Sequence, residues 1–159
     1  MEIHNLIKPE SVFANLHATS KKQAIQDLAK KAADITGFHE RAIFDVLMER
    51  ERLGTTGVGN GVAIPHGKLA SLDSLHGLFA RLEKPIDFQS IDEQPVDLIF
   101  LLLAPESAGA DHLKALARVS RLLRDKTVCE KLRGTDQSEA LFALLTQGAA
   151  HQAARKISE

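Results

Sequence analysis

The chain carries a single cysteine, Cys129, and neither tryptophan nor tyrosine. One thiol closes no internal disulfide, which suits a reducing cytoplasm. Without the two strong fluorophores, intrinsic fluorescence will report little about binding. No apolar run approaches the ~20 residues of a membrane-spanning helix. The N-terminus, MEIHNLIKPE, contains acid and has no long apolar stretch, so no signal peptide is expected. Twenty basic residues against 21 acidic ones leave a net charge of −1, which gives no reason to expect nucleic acid or an anionic membrane as partner. Internal repeats and low-complexity linkers are missing too. The remaining composition, 44% hydrophobic and 26% charged over 159 residues, is that of one soluble domain. That domain is expected over residues 1–150, with 151–159 as a frayed or flexible tail.

The most unusual stretch runs from Arg50 to Leu69, RERLGTTGVGNGVAIPHGKL, with Gly54, Gly57, Gly59 and Gly61 inside eight residues. Glycine permits positive φ and close backbone approach, while Pro65 fixes its own φ and pushes Ile64 toward extended backbone. The pattern predicts a glycine loop entering a short strand, Val62 to Ile64, that stops at a rigid corner presenting His66.

Elsewhere the periodicities alternate. Val12, Phe13 and Leu16 suggest a short strand. Ser20 with Gln23 forms a capping box before Ile25, Leu28, Ala29, Ala32 and Ile35, and Gly37 is the stop. A second helix is predicted from about His39 to Leu53, with Ile43, Val46 and Leu47 inward. Arg50 continues that stripe, either aimed into a cleft or capping the helix carbonyls. Leu75 to Leu82 reads as a strand ended by Lys84-Pro85. Val96 to Leu103, VDLIFLLL, reads as a strand buried on both faces. Asp111 is a candidate N-cap for a helix to about Arg124, with His112 in its first turn beside Leu116, Val119 and Leu123. Asp136 with Glu139 predicts a further capping box before Leu141, Leu144 and Leu145. Strands alternating with helices argue for an α/β sandwich.

Several chemistries fail on spacing. Gly61 and Gly67-Lys68 are five residues apart where a nucleotide P-loop needs four, and Leu69 replaces its hydroxyl. Gly57-Val58-Gly59-Asn60-Gly61 is not a dinucleotide fingerprint. No H-E-x-x-H, paired cysteine or i, i+4 histidine pair supports a metal, and no G-x-S-x-G supports a serine hydrolase. Cys129 has no local reason for activation.

What remains is His66 as nucleophile or general base, since a neutral imidazole nitrogen attacks phosphorus directly. Such chemistry needs donors for the phosphoryl oxygens and one ring nitrogen held in a fixed tautomer. Candidate supports are Arg50, His112, Thr55, Thr56 and the amides around Gly57, Gly59, Asn60, Gly61 and Gly67. On position alone His112 reads first as a polar residue at the edge of a helix face, and second as a neighbour of a phosphoryl group at a helix N-terminus.

GTTGVGNGVAIPHGKL resembles the active-site segment of the enzyme IIA domains of the bacterial phosphotransferase system, in the fructose–mannitol class and nearest its nitrogen-related branch. The resemblance covers essentially the whole chain. It implies a single-domain fold with a mixed, mostly parallel sheet of about five strands between helices. It implies that His66 takes a phosphoryl group, through Nε2, from a carrier resembling HPr, called NPr in the nitrogen branch. The group originates in phosphoenolpyruvate by way of enzyme I, and no cofactor or metal is called for. Arg50 matches the family's active-site arginine, and His112 matches its second active-site histidine. Asn60 stands where mannitol-type members carry glutamate, so a role for that acid does not transfer. Output through regulated proteins such as potassium transporters or sensor kinases, in the cytoplasm, is the first expectation. The alternative is a sugar-specific IIA that passes the group to a IIB cysteine; no IIB or IIC segment is expected in this chain. A scaffold that keeps the fold without the chemistry is the third reading.

Overall fold

A computed structural model describes the backbone of residues 2–158 and the side chains of residues 2–148. Its centre is a six-stranded sheet: β1 Val12–Leu16, β2 Gly57–Gly59, β3 Val62–Ala63, β4 His66–Leu69, β5 His76–Ile86 and β6 Val96–Pro105. The order is β1-β5-β6-β3-β2, and β4 joins the same edge of β6 as β3, further along it. Pairings of β1 with β5, β3 with β6 and β4 with β6 are parallel; β5 with β6 and β2 with β3 are antiparallel. The helices are α1 Ile3–Leu6, α2 Lys21–Thr36, α3 Glu40–Arg52, α4 Ala110–Arg124, α5 Lys126–Arg133 and α6 Ser138–Ser158.

Two apolar clusters cover the two faces of the sheet. Leu98, Phe100, Leu102 and Ala104 of β6 pack with α1, α4, α5 and α6, while Ile99, Leu101 and Leu103 pack with α2 and α3. The unbroken apolar run of β6 therefore does what its composition requires in a strand covered on both sides. Helix α2 starts at Ser20, whose hydroxyl accepts from Gln23 N at 3.1 Å, and stops at Gly37 with φ 78°. The returning arm of the box reaches one residue further back, from Thr19 N to Gln23 Oε1 at 2.7 Å.

Several boundaries differ from expectation. Helix α1 is a single turn too short to show a period. Strand β5 continues past Lys84-Pro85 to Ile86, because its register with β6 jumps from Arg81↔Leu98 to Ile86↔Val96. Pro85 thus lies in an exposed bulge where no ladder bond needs its missing N–H. Gly109, not Asp111, is the N-cap of α4, and Asp111 stands in the first turn. The Asp136–Glu139 box does not form; Asp136 Oδ1 accepts from the Gln137 side chain at 3.0 Å. The expected frayed extension over 151–159 falls on residues whose side chains lie outside those described, and the backbone of α6 is helical to Ser158.

The largest departure is the glycine stretch. It is not an open loop but a hairpin, β2 and β3 joined by Asn60 at φ 58° and Gly61 at φ 80°. Two successive positive φ values make a primed two-residue turn, for which Asn-Gly is the preferred pair. A Cβ on Gly61 would run into the Arg133 guanidinium, which bonds Asp97 at 2.9 Å and Asn60 O at 2.8 Å. Gly61→Ala is therefore expected to lose at least about 1–2 kcal/mol from the left-handed backbone alone. That is a fall of several degrees in melting temperature, read by far-UV circular dichroism.

Candidate functional site

Arg50, His66 and His112 are distant in sequence and meet in one shallow groove. Strand β4 begins at His66 and hydrogen-bonds β6, so His66 is the first residue of a strand rather than the end of one. The next residue, Gly67, lies against α3, where any side chain would collide with Val46. That close approach brings Arg50, one turn beyond Val46 on α3, within reach of His66 Nε2. Helix α4 delivers His112 from its first turn.

The geometry fixes the roles of the ring nitrogens. His66 Nδ1 lies 2.9 Å from Ile64 O, and a carbonyl only accepts, so Nδ1 carries the proton and Nε2 the lone pair. Arg50 Nε donates to that Nε2 at 3.2 Å, and Arg50 Nη1 donates to Gly54 O at 2.9 Å. Of the two expected alternatives for Arg50, the structure shows the cleft; its second bond goes to Gly54 O beyond the helix and not to a helix carbonyl. The His112 ring stands edge-on to that of His66, with centroids 5.6 Å apart and planes at 81°. His112 is buried, and its Nδ1 has no partner among the described residues.

Both rings are held neutral. Burial is the largest influence lowering the His66 pKa and the Arg50 guanidinium lowers it further, while the bond to Ile64 pulls the other way. For His112, burial again leads, followed by His66 and Lys68. His76, at the start of β5, is lowered by burial and by Lys8. The sign of the consequence follows. Above the ordinary value of 6.5, folded and unfolded chains hold these histidines alike neutral; below it the unfolded chain binds protons first. Stability is therefore expected to fall as pH drops through 6.5, until the folded-state rings themselves titrate. Urea midpoints above and below that pH test this; a midpoint that holds or rises on acidification contradicts it.

Of the other residues expected to support a phosphoryl group, only Gly67 lines the groove around His66. Thr55 Oγ1 donates to Phe88 O at 3.0 Å and accepts from Gly57 N at 3.1 Å. Both the amide and the hydroxyl of Thr56 donate to the Glu51 carboxylate. The Asn60 amide donates to Asp92 Oδ2 at 2.9 Å, and Gly59 and Gly61 shape the hairpin. The amides of Thr56, Gly57 and Asn60 are thus turned to side chains of the protein itself. Buried Cys129 donates its thiol to Leu123 O at 3.2 Å, and burial pushes its pKa up, so it stays inert.

Three contributors went unread in the sequence. Ile64 supplies the carbonyl that selects the tautomer. Lys68, exposed next to Gly67, adds a cation to the groove that acts on the His112 imidazole. Leu53 and Leu113, 80% and 69% exposed, form an apolar rim on the groove, which suits a surface that another protein covers. An apolar residue just past the end of α3 and another near the start of α4 were the available signal for the rim.

Known proteins share this fold. Residues 5–148 match the family model described as phosphoenolpyruvate-dependent sugar phosphotransferase system, EIIA 2. A nitrogen regulatory protein of Bradyrhizobium diazoefficiens is 61% identical over 145 residues, spanning 91% of this chain and 95% of that protein. One from Escherichia coli K12 is 39% identical over 148 residues, with 92% and 90% covered. The crystal structure of nitrogen regulatory protein IIA-Ntr from Neisseria meningitidis superposes with a TM-score of 0.86 at 33% identity, over 91% of this chain and 99% of that one. With the family model spanning nearly the whole domain and the fold shared, this chain belongs to the EIIA 2 family of the phosphoenolpyruvate-dependent phosphotransferase system.

Proposed function

We propose that His66 accepts a phosphoryl group through Nε2 from an HPr-like phosphocarrier, NPr of the nitrogen branch, and that the protein regulates partners according to its phosphorylation state. The observation that carries this reading is the Nδ1–H bond to Ile64 O, which leaves the Nε2 lone pair beside Arg50 at the groove. The bond from phosphorus to the carrier's ring nitrogen breaks, and its electron pair stays with the carrier. The bond from phosphorus to Nε2 forms. The His66 ring then gains positive charge, which the Ile64 carbonyl stabilises through Nδ1–H. Arg50 turns its donors from the lone pair to the phosphoryl oxygens, the use to which a guanidinium fork is suited. His112, already neutral and edge-on, packs beside the new group.

A regulatory output is supported by the nitrogen regulatory proteins to which the chain is similar. Adding a phosphoryl group to a groove rimmed by Leu53 and Leu113 changes both its charge and its fit to a partner. Potassium transporters and sensor kinases are partners of the expected kind, and the cytoplasm is the expected setting. Among the described residues, no helix is long and apolar enough to cross a membrane.

Intact mass after mixing with phosphoenolpyruvate, enzyme I and the carrier tests the reading, with and without a fructose IIB. One acid-labile phosphoryl group that is not passed to the IIB supports regulation. Efficient discharge to the IIB cysteine moves the protein to sugar uptake. No gain in mass with a competent carrier leaves only a binding module. His112→Ala is expected to slow acceptance while reaching the same final mass; total loss in a folded variant reverses the two histidines.

A further inference from the structure

The residue after Arg50 points the other way. On α3, Ile43, Leu47 and Glu51 follow one another at i, i+4 and i+8, and all three are buried. Glu51 is therefore an acid at the end of an apolar stripe, 7% exposed. Its carboxylate meets the Lys21 ammonium from the first turn of α2 at 2.6 Å. It also accepts from Thr56 N at 3.1 Å and from the Thr56 hydroxyl.

What Thr56 does next joins this cluster to the site. The Thr56 carbonyl accepts from Ile64 N at 2.9 Å, and the Ile64 carbonyl accepts from His66 Nδ1 at 2.9 Å. Lys21, Glu51, Thr56, Ile64 and His66 are thus linked by successive hydrogen bonds, each joined to the next through one side chain or the backbone of one residue. A buried carboxylate paired to a largely covered ammonium is a rigid anchor, because the carboxylate has little water to retreat to.

We infer that Glu51 is a positioning residue for phosphoryl acceptance: clamped by Lys21, it holds Thr56 and so Ile64 where the Ile64 carbonyl keeps the proton of His66 on Nδ1. This rests on the reading of His66 as the acceptor. A free imidazole in water favours the opposite tautomer, with the proton on Nε2 and the lone pair on the nitrogen that faces the strand. Loosening the Ile64 carbonyl therefore removes the nucleophile from the groove without touching the ring itself. The charge has a second effect in the same direction. Lys68 and His112 line the same groove as His66; of the charged groups acting on the His66 ring, Arg50 opposes a proton and Glu51 favours one. It eases the positive charge that the ring gains as Nε2 bonds phosphorus.

The test compares full-length wild type, Glu51→Gln and Thr56→Val. Long-range proton–nitrogen spectra of the histidine rings report the tautomer. Single-turnover transfer from the phosphocarrier, charged with phosphoenolpyruvate and enzyme I, reports the rate across pH. Wild type is expected to show His66 as the Nδ1–H form. Glu51→Gln is expected to show a mixture, a rate at least roughly tenfold lower, since a ~1 Å misplacement alone can lose a hundredfold, and an inflection at lower pH. Thr56→Val, which keeps the amide bond to Glu51, is expected to shift both readouts less and in the same direction. A Glu51 that merely stabilised the fold would change the melting temperature and leave the tautomer and the pH inflection alone. Folded variants with the wild-type tautomer and rate overturn the inference. If Glu51→Gln does not fold, Thr56→Val decides by the same two readouts. If wild type takes no phosphoryl group, the acceptor reading fails, and the tautomer comparison still decides the role of Glu51.

Discussion

A chain carrying His66→Ala is expected to take up no phosphoryl group from a competent carrier and to melt within a few degrees of the wild type. The first half follows from the groove, where the lone pair next to Arg50 belongs to His66 Nε2 and His112 is buried behind it. The second follows from how little the ring supports. His66 is half-buried at the start of an edge strand, and its removal gives up the bond to Ile64 O and one partner of Arg50. A neutral hydrogen bond at such a place contributes about 1 kcal/mol, and Arg50 keeps its bond to Gly54 O. Intact mass and a circular dichroism melt on the same sample check both halves. Persistent labelling moves the acceptor elsewhere, and a collapsed melt makes His66 structural.

The largest loss of stability from a single exposed-looking lysine is expected at Lys21. Lysine usually pairs on the surface, as Arg41 does with Asp45 and Arg52 with Glu49 here, and such pairs contribute about 0–1 kcal/mol. Lys21 differs because its side chain is 13% exposed and that of Glu51 only 3%. Its ammonium also sits 5.0 Å above the Phe88 ring. Lys21→Met leaves the carboxylate buried with Thr56 alone, and removing one partner of a buried pair costs about 3–5 kcal/mol. For a chain of this length that lowers the melting temperature by roughly 10 °C. Lys21→Met with Glu51→Gln, which leaves no charge behind, is expected to recover much of the loss. Urea midpoints of the single and double variants measure this; a loss below about 1 kcal/mol in the single variant means the pair is hydrated.

The parts of the molecule that could be read from sequence are those where one residue and its near neighbours decide the outcome. Ser20 and Gly37 bracket α2 as their chemistry requires, and VDLIFLLL becomes the doubly covered β6. His66 and Arg50 were legible because proline, glycine and a helical stripe restrict where they can point. What could not be read depends on partners far away in the chain. Pro85 is tolerated inside β5 only because the register with β6 slips there. The glycine stretch resembled an anion-binding loop until Asp92, Phe88 and Glu51 were seen to take the donors of Asn60, Thr55 and Thr56. Asn60-Gly61 before Val62 did carry a hairpin signal, outweighed by the density of glycine around it. Glu51 was hidden by its neighbour, since a stripe ending in Arg50 and one ending in Glu51 differ by a single residue of helical phase.

The account turns on which nitrogen of which histidine becomes bonded to phosphorus. Phosphorus–nitrogen coupling in the nitrogen-15 labelled protein, charged through the carrier, answers that directly. One phosphoryl group is expected on Nε2 of His66, with the proton still on Nδ1 facing Ile64 O. Coupling to Nδ1 of His66, or to either nitrogen of His112, contradicts it.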